Sequence, residues 1–528
     1  MFNLALLIGI YSHIIFLLGL IGVLYKPTII LSTLFFLSII SYLMRKGLNS
    51  QNLVDKLINF VKKNKKLELV LLVIISFQGI VNLIGALGPE LGFDALWYHL
   101  TMPKIYLNLH QIVHIPGSLL YYSDMPKFTE MLYVSALSFG TETIAKLIHF
   151  SFGILSLIAL YNLSRKFLNK TFSLLTLVVF YGNLVVGWMS TTAYVDLVRT
   201  FFELMALWGF VEWLEKENKK WLAISGVMLG FAASAKLLAI SSVLIFTTLL
   251  ILSPMILNQK TKFKDIISNA LVYWCLAFFV VLPWFVFSFV HTGNPVYPFF
   301  TSIYPVKFNF NLIDPLTLSD PISPLYVIFL PIALFIYRKF KPTLKIIALY
   351  SFLAIIIWYL TPQTGGGRFI LPYLPALSLI SVGVIEVMNK NKLQKTFVAL
   401  IIFLGCFSIF YRGIANFKYV PVILGLESKS QFLSNNLNFS FGDFYDTDGY
   451  FENKIKKDDK VLLYGFHNLY YVNFPFIDSS YVKMGDSFNY VAVQGKNMPQ
   501  RFKSWNLIYY NGLTDVRFYS IGGMKWEY

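Results

Sequence analysis

Charge is scarce in this chain. Only 13% of its 528 residues are Asp, Glu, Lys or Arg, whereas 56% are hydrophobic and 17% aromatic. Soluble globular chains run nearer a quarter charged, so the composition excludes that class and leaves a polytopic membrane protein. Cysteine is almost absent. Cys275 and Cys406 both fall inside apolar runs, which supports neither a disulfide framework nor a zinc site. Acidic residues are outnumbered by basic ones, 27 to 44, for a formal net charge of +17. That excess does not point to nucleic acid. The lysines and arginines collect in short clusters between apolar runs, as the positive-inside rule produces. Residues 1–24 are apolar but lack a basic start and a small-residue cleavage site, so they read as a retained first span and not as a signal peptide. No internal repeat or low-complexity run stands out.

Long apolar runs are what the chain has in abundance. Thirteen are long enough to cross a bilayer: 3–24, 28–44, 68–88, 142–163, 171–192, 194–213, 220–236, 238–257, 266–290, 323–340, 343–361, 369–388 and 395–414. The basic clusters assign the sides. Arg45 to Lys66, Arg165/Lys166/Lys170, Lys216/Lys219/Lys220, Lys260/Lys262/Lys264, Arg338/Lys339/Lys341 and Lys390/Lys392/Lys395 all fall between alternate spans, on the side that is therefore cytoplasmic. The expectation is an integral plasma (inner) membrane protein with a cytoplasmic N-terminus and an extracytoplasmic C-terminus. Its parts would be two spans and a basic loop (1–67), a core (68–414) with long external loops at 89–141 and 291–322, and an external tail (415–528). The first loop holds two expected interface helices, near 95–109 and 126–139, amphipathic and too polar to span. In the tail, Asp448 to Lys456 reads as a helix and Lys460 to Gly465 as a strand ending in a turn. The fold class is thus all-α and polytopic, about 13 transmembrane helices with a small C-terminal α/β domain.

Polar residues at span ends are the candidates for chemistry. The first loop opens Pro89-Glu90-Leu91-Gly92-Phe93-Asp94-Ala95-Leu96-Trp97-Tyr98-His99 and runs on to Lys104. Asp94 suits either of two tasks: capping the helix that begins at Ala95, or acting as a base at the membrane surface. Asp196, Arg199 and Glu203 follow at spacings of three and four, on one helical face. Arg199 and Glu203 fit a self-neutralising pair inside a bundle, while Asp196 lies at the outer mouth, where it would touch substrate. Lys236, after the small-residue run Gly230 to Ala235, suits either snorkelling to headgroups or holding an anion. Gly365-Gly366-Gly367-Arg368 places an arginine at the outer start of a span, against the positive-inside bias, and reads as a phosphate site. His99, His110 and His114 do not have metal-site spacing. Asp124, just before Pro126, reads as a cap, and Glu130 as a secondary site residue.

Taken together, Asp94 in Phe93-Asp94-Ala95, the Tyr194-Val195-Asp196 opening, Lys236 and Arg368-Phe369-Ile370-Leu371-Pro372 resemble the GT-C membrane glycosyltransferases. The similarity is to the protein-mannosyltransferase and aminoarabinose-transferase branch, over roughly residues 68–390. Many relatives carry adjacent Asp-Glu in the first loop, whereas here alanine follows Asp94 and Glu90 stands four residues earlier. The resemblance implies transfer of a sugar from a polyprenyl-phosphate donor to a glycan, lipid or protein acceptor on the outer face, with inversion. It implies Asp94 as base, Asp196 as a second catalytic carboxylate, and Arg368, Lys236, Lys104, Glu90, Tyr98, His99 and Glu130 as substrate- or phosphate-binding residues. A divalent cation (Mg or Mn) between Asp94 and Asp196 stays open and is not required. The alternative is a lipid or glycan transporter or flippase. Against it, the polar residues gather at the outer mouth and not in broken helices at the midplane.

Overall fold

A computed structural model describes residues 1–45, 65–304, 322–361, 363–388, 392–520, 522 and 525–528. The basic loop expected between Arg45 and Lys66, the later part of the loop 291–322, Lys390 and Pro362 lie wholly or largely outside the described residues. Each of the thirteen expected spans falls on helix. Eight described helices are long and apolar enough to cross a membrane, from Phe2–Leu20 to Lys392–Phe417, and Lys170–Tyr181 and Leu371–Val387 are shorter apolar helices. The chain is an integral membrane protein. In hydrocarbon a helix satisfies its own backbone, which is why apolar runs of this length take that form. The expected span 171–192 is instead broken at Gly182 and Asn183 into Lys170–Tyr181 and Leu184–Met189. Asn183 turns its amide onto the carbonyls of Val179 and Phe180 and onto the Tyr326 hydroxyl, so the break is hydrogen-bonded.

The helices Asp196–Lys216 and Lys219–Ala235 pack closely against each other and, through the latter, against Phe263–Thr292. Small residues permit the approach. A Cβ on Gly209 would stand 3.2 Å from Ser225, and one on Gly230 would stand 2.7 Å from the Ala277 carbonyl oxygen. This packing fixes where Lys236 emerges. Arg199 and Glu203 form the self-neutralising pair that their spacing suggested. Arg199 Nε lies 3.5 Å from Glu203, Arg199 donates to the Tyr373 hydroxyl at 2.9 Å, and Tyr350 donates to Glu203 at 3.2 Å.

The first long loop departs from expectation. Ala95–His99 is a π-turn leading into helix Thr101–Leu109. The second expected interface helix, Phe128–Phe139, is buried except at Leu137 and Phe139 and packs against Phe2–Leu20, Lys26–Arg45, Thr101–Leu109 and Glu142–Ser164. Glu130, Tyr133, Ser135 and Ser138 have protein partners, while the Thr129 hydroxyl is buried without one. The Ser135 hydroxyl meets Tyr11 at 2.7 Å and Glu130 meets His99, so the helix is core and not interface. Asp124 is no cap either, since its carboxylate accepts from His114 Nδ1 at 2.9 Å.

Past Phe417 the chain builds a small sheet unit, with helix Tyr450–Lys454 before the first strand. The strands are β1 Val461–Tyr464, β2 Phe476–Asp478, β3 Ser487–Phe488, β4 Tyr490–Gln494, β5 Asn506–Asn511, β6 Val516–Ser520 and β7 Trp526–Glu527. Five run in the order β2-β1-β4-β6-β5, with β1 parallel to both neighbours, and β3 pairs with β7. Side chains alternate between the two faces. Leu462, Val491 and Val493 pack with Phe488, Phe502 and Trp505. On the other face Val461, Leu463 and Ala492 share a core with Ile115 and Leu120 of the first long loop.

Candidate active site

Asp94 sits at the start of the π-turn, but its side chain makes no capping hydrogen bond. Instead its Oδ2 accepts from Arg368 Nη1 at 2.6 Å, while its own N–H donates to the Tyr194 hydroxyl at 3.2 Å. The capping alternative is therefore not the one the fold adopts. Arg368 reaches Asp94 from the short turn Gln363–Phe369, where Gly366 has φ 56° and ψ −142°, a conformation open to glycine. The guanidinium lies 5.0 Å from the centre of the Tyr194 ring, and its Nε is buried with no partner. Burial alone would lower the Arg368 pKa. The Asp196 and Asp94 carboxylates outweigh it and hold the group above its ordinary value.

Asp196 opens helix Asp196–Lys216, and its Oδ1 accepts from Lys236 Nζ at 2.5 Å. Lys236 follows the last turn of Lys219–Ala235 in extended backbone (φ −152°, ψ 120°), with its ammonium 4.9 Å from the Phe369 ring centre. Asp94, Arg368 and Lys236 line one cavity of about 280 Å³. Asp196, expected at the open mouth, is buried behind Lys236 and does not line that cavity. Its place is to fix Lys236.

Tyr98, His99 and Glu130 line the same cavity. His99 Nδ1 lies 2.6 Å from Glu130 Oε1, and Glu130 Oε2 is buried without a partner. Tyr98 stacks on Tyr122 with ring centres 3.6 Å apart, and burial pushes its phenol well up. Glu90 lies off the cavity. Its carboxylate accepts from the N–H groups of Leu91, Gly92 and Ala193 at 2.9, 2.6 and 2.6 Å, bracing the loop against the Tyr194 turn. Burial raises the Glu90 pKa, opposed by Lys146 and these three donors. Lys104 is elsewhere. Its ammonium donates to the carbonyls of Tyr470 and Val472 and to Asn473, and it lines a second cavity with Glu142 and Lys429. A phosphate role for Lys104 does not fit that placement.

Sequence reasoning did not assign Tyr194, although it stood in the Tyr194-Val195-Asp196 motif. It also gave no signal for Tyr122, which lines the cavity and stacks on Tyr98. Among the described residues, no group of three or more His, Cys, Asp or Glu side chains gathers as a metal-binding set. Asp94 and Asp196 each face a cation, a donor arrangement that does not suit a divalent ion, so no step below runs through one.

The overall fold matches that of ArnT from Cupriavidus metallidurans bound to undecaprenyl phosphate. The TM-score is 0.60 at 11% identity, covering 85% of this chain and 97% of that one. Apo ArnT from the same organism gives 0.56 at 10% identity, with the same coverage. The oligosaccharyltransferase AglB from Archaeoglobus fulgidus, in complex with an inhibitory peptide and a dolichol-phosphate, gives 0.50 at 10% identity over 80% of this chain and 69% of that one. At these identities the likeness is one of fold alone. No curated protein matches the sequence. Residues 131–286, which include Asp196 and Lys236 but neither Asp94 nor Arg368, match the dolichyl-phosphate-mannose-protein mannosyltransferase family. That match covers less than a third of the chain and falls on the helices that carry Asp196 and lead to Lys236.

Proposed function

We propose that this protein moves a sugar from a polyprenyl-phosphate carrier to an acceptor on the outer face of the plasma membrane, inverting the anomeric carbon, with Asp94 as the base. The observation that carries the reading is the Asp94–Arg368 pair at 2.6 Å in a cavity shared with Lys236. That ArnT was solved bound to undecaprenyl phosphate supports the choice of carrier. The clustering of lysines and arginines on alternate loops supports the sidedness, with the N-terminus cytoplasmic and the tail from about residue 415 outside.

The arriving phosphate competes with Asp94 for Arg368 and with Asp196 for Lys236. A guanidinium and an ammonium are well suited to phosphate oxygens. Once Arg368 turns to the phosphate, the Asp94 carboxylate is free. It takes the proton of an acceptor hydroxyl as that oxygen attacks the anomeric carbon. The bond from that carbon to the phosphate oxygen breaks, and its electron pair stays on the phosphate, where Arg368 and Lys236 stabilise it. Backside attack in a single displacement inverts the centre. Tyr98, His99 and Glu130 face the same space and supply hydrogen bonds to sugar or acceptor hydroxyls. The acceptor class, whether glycan, lipid or protein, is left to experiment.

The test uses the full chain in proteoliposomes with labelled undecaprenyl-phosphate hexoses and pentoses, offered glycan, lipid and protein fractions of a cell envelope. Label should move from carrier to one fraction, with the opposite anomeric configuration. Failure to move any label, together with failure to bind undecaprenyl phosphate, would sink the reading.

A further inference from the structure

We infer that the C-terminal sheet unit is a positioning element of the active site, and that residues 467–473 hold the Asp94 loop in its working geometry, with His467 as the principal contact. The inference deepens the proposed function, and rests on it for the turnover measurement alone.

The contacts bracket Asp94. On its N-terminal side, the His467 imidazole stacks on Phe93 with ring centres 4.7 Å apart and planes 23° from parallel. Further back, the Tyr471 hydroxyl donates to the Glu90 carbonyl at 3.0 Å. On the C-terminal side, the same imidazole lies 4.3 Å from the Trp97 ring, and the Tyr470 N–H donates to the Leu96 carbonyl at 3.2 Å. At the end of the stretch, Lys104 is clasped by Tyr470 O at 2.7 Å, Val472 O at 2.8 Å and Asn473 Oδ1 at 2.8 Å. One short segment of the tail thus fastens the loop from Glu90 to Lys104 on both sides of the carboxylate.

The segment is itself held from behind. The Gly442 carbonyl accepts from the N–H groups of His467 and Asn468, both at 3.0 Å, and the Asn468 amide donates to Asp443 at 2.5 Å. Gly442 has φ +84°, and a Cβ there would meet His467 Cβ at 2.8 Å, so this anchor depends on glycine. Ile115 and Leu120 of the first loop complete the core of one sheet face, which joins the unit to the loop over a wider area. The consequence is chemical, because a displacement of about 1 Å at a reacting group costs on the order of a hundredfold in rate.

The test compares His467→Ala, His467→Phe and Tyr471→Phe in the full-length chain. Donor turnover is measured as loss of label from undecaprenyl-phosphate sugar, and ligand binding as the Kd for undecaprenyl phosphate. Hydrogen exchange over residues 90–104 gives a readout that needs no donor. His467→Ala should exchange faster across 90–104 with the membrane spans unchanged, and should turn over at least about tenfold more slowly. Its Kd should stay within about twofold of wild type. The aromatic ring of His467→Phe should restore both exchange and turnover, and Tyr471→Phe should loosen residues 90–92. Unchanged exchange in both His467→Ala and Tyr471→Phe overturns the inference. So does a His467→Phe variant as slow as the alanine but with wild-type exchange across 90–104, since turnover would then depend on the imidazole and not on the geometry of the loop. A wild-type chain that neither binds nor consumes the donor counts against the proposed function, and the exchange result still judges the positioning role.

Discussion

Replacing Asp94 by asparagine separates three roles that the proposed function gives to one side chain and its neighbours. The backbone N–H of residue 94 keeps its bond to Tyr194, and no capping bond is lost, so the fold should survive with little change. The amide has no useful proton affinity. Loss of a general base costs roughly 10²–10⁴ in rate, or about 3–5 kcal/mol of barrier. Binding should move the other way. In the wild type the phosphate must displace Asp94 from Arg368, a charge-assisted contact of 2.6 Å between groups only 14% and 16% exposed. Such a bond is worth roughly 1.5–3 kcal/mol, so removing the competing charge should tighten undecaprenyl phosphate by about tenfold or more. The assay pairs the Kd for undecaprenyl phosphate with donor turnover in the same detergent-purified protein. Slower turnover with tighter binding is the expected signature. Weaker binding in Asp94→Asn would refute the ion-pair exchange, and wild-type turnover would move the base elsewhere, with His99 and Glu130 the nearest alternatives in the cavity.

Arg368→Lys keeps the charge but loses the planar fork, and should cut turnover at least about tenfold while weakening undecaprenyl phosphate binding; parity with wild type in both would return Arg368 to a plain interface anchor. Lys127 is buried with an unpartnered ammonium 4.2 Å from the Phe287 ring, and burial pushes it down to about 8 against the pull of Asp124 and Glu130. The folded chain therefore binds fewer protons than the unfolded one between about pH 8 and 10.5, so this group's penalty is full below 8 and fades as pH rises. Lys127→Met should raise the thermal midpoint at pH 7 by the equivalent of roughly 1–3 kcal/mol, with the gap closing toward pH 10.5; an equal or lower midpoint at pH 7 would show that the aromatic cage compensates the charge in full. Cysteines placed at 94 and 368 should react with an impermeant reagent added outside intact cells, and one at 392 should not, and the reverse pattern would invert the proposed topology.

The spans were legible because an apolar run of bilayer length has one economical structure in lipid, and eight of the thirteen expected runs fall on described helices long and apolar enough to cross. Asp94 and Arg368 were legible for a related reason: a carboxylate and a guanidinium at span ends are costly unless they do something. Residues whose meaning lies in a distant partner were not. Phe128–Phe139 looked amphipathic because Thr129, Glu130, Ser135 and Ser138 interrupt it, yet Tyr11 and His99 meet two of those groups and the helix is core. Lys104 was grouped with the binding residues through the family resemblance, and its acceptors are two backbone carbonyls and an asparagine of the tail. Asp196 was placed at the right end of its helix but on the wrong side of Lys236. A hydrophobic pattern reports which face of a helix is buried, and does not report which neighbour stands between a charge and the cavity.

Charge conservation ties these placements to the reaction. Asp94, Asp196, Lys236 and Arg368 sum to zero, which lets four ionised groups lie together in a largely desolvated place, where an unbalanced charge is expensive. A sugar phosphodiester brings one negative charge, and the leaving monoester carries close to two at neutral pH, so negative charge on the phosphate grows as the glycosidic bond forms. In the proposed reaction the proton that compensates it leaves the acceptor and lands on Asp94. Arg368 and Lys236 therefore face an anion whose charge is larger in the transition state than in the bound donor, and only that difference accelerates the step. Asp196, buried behind Lys236, matters to this argument without touching substrate. It holds the ammonium at one edge of the cavity while Arg368, drawn off Asp94, closes on the phosphate from the other.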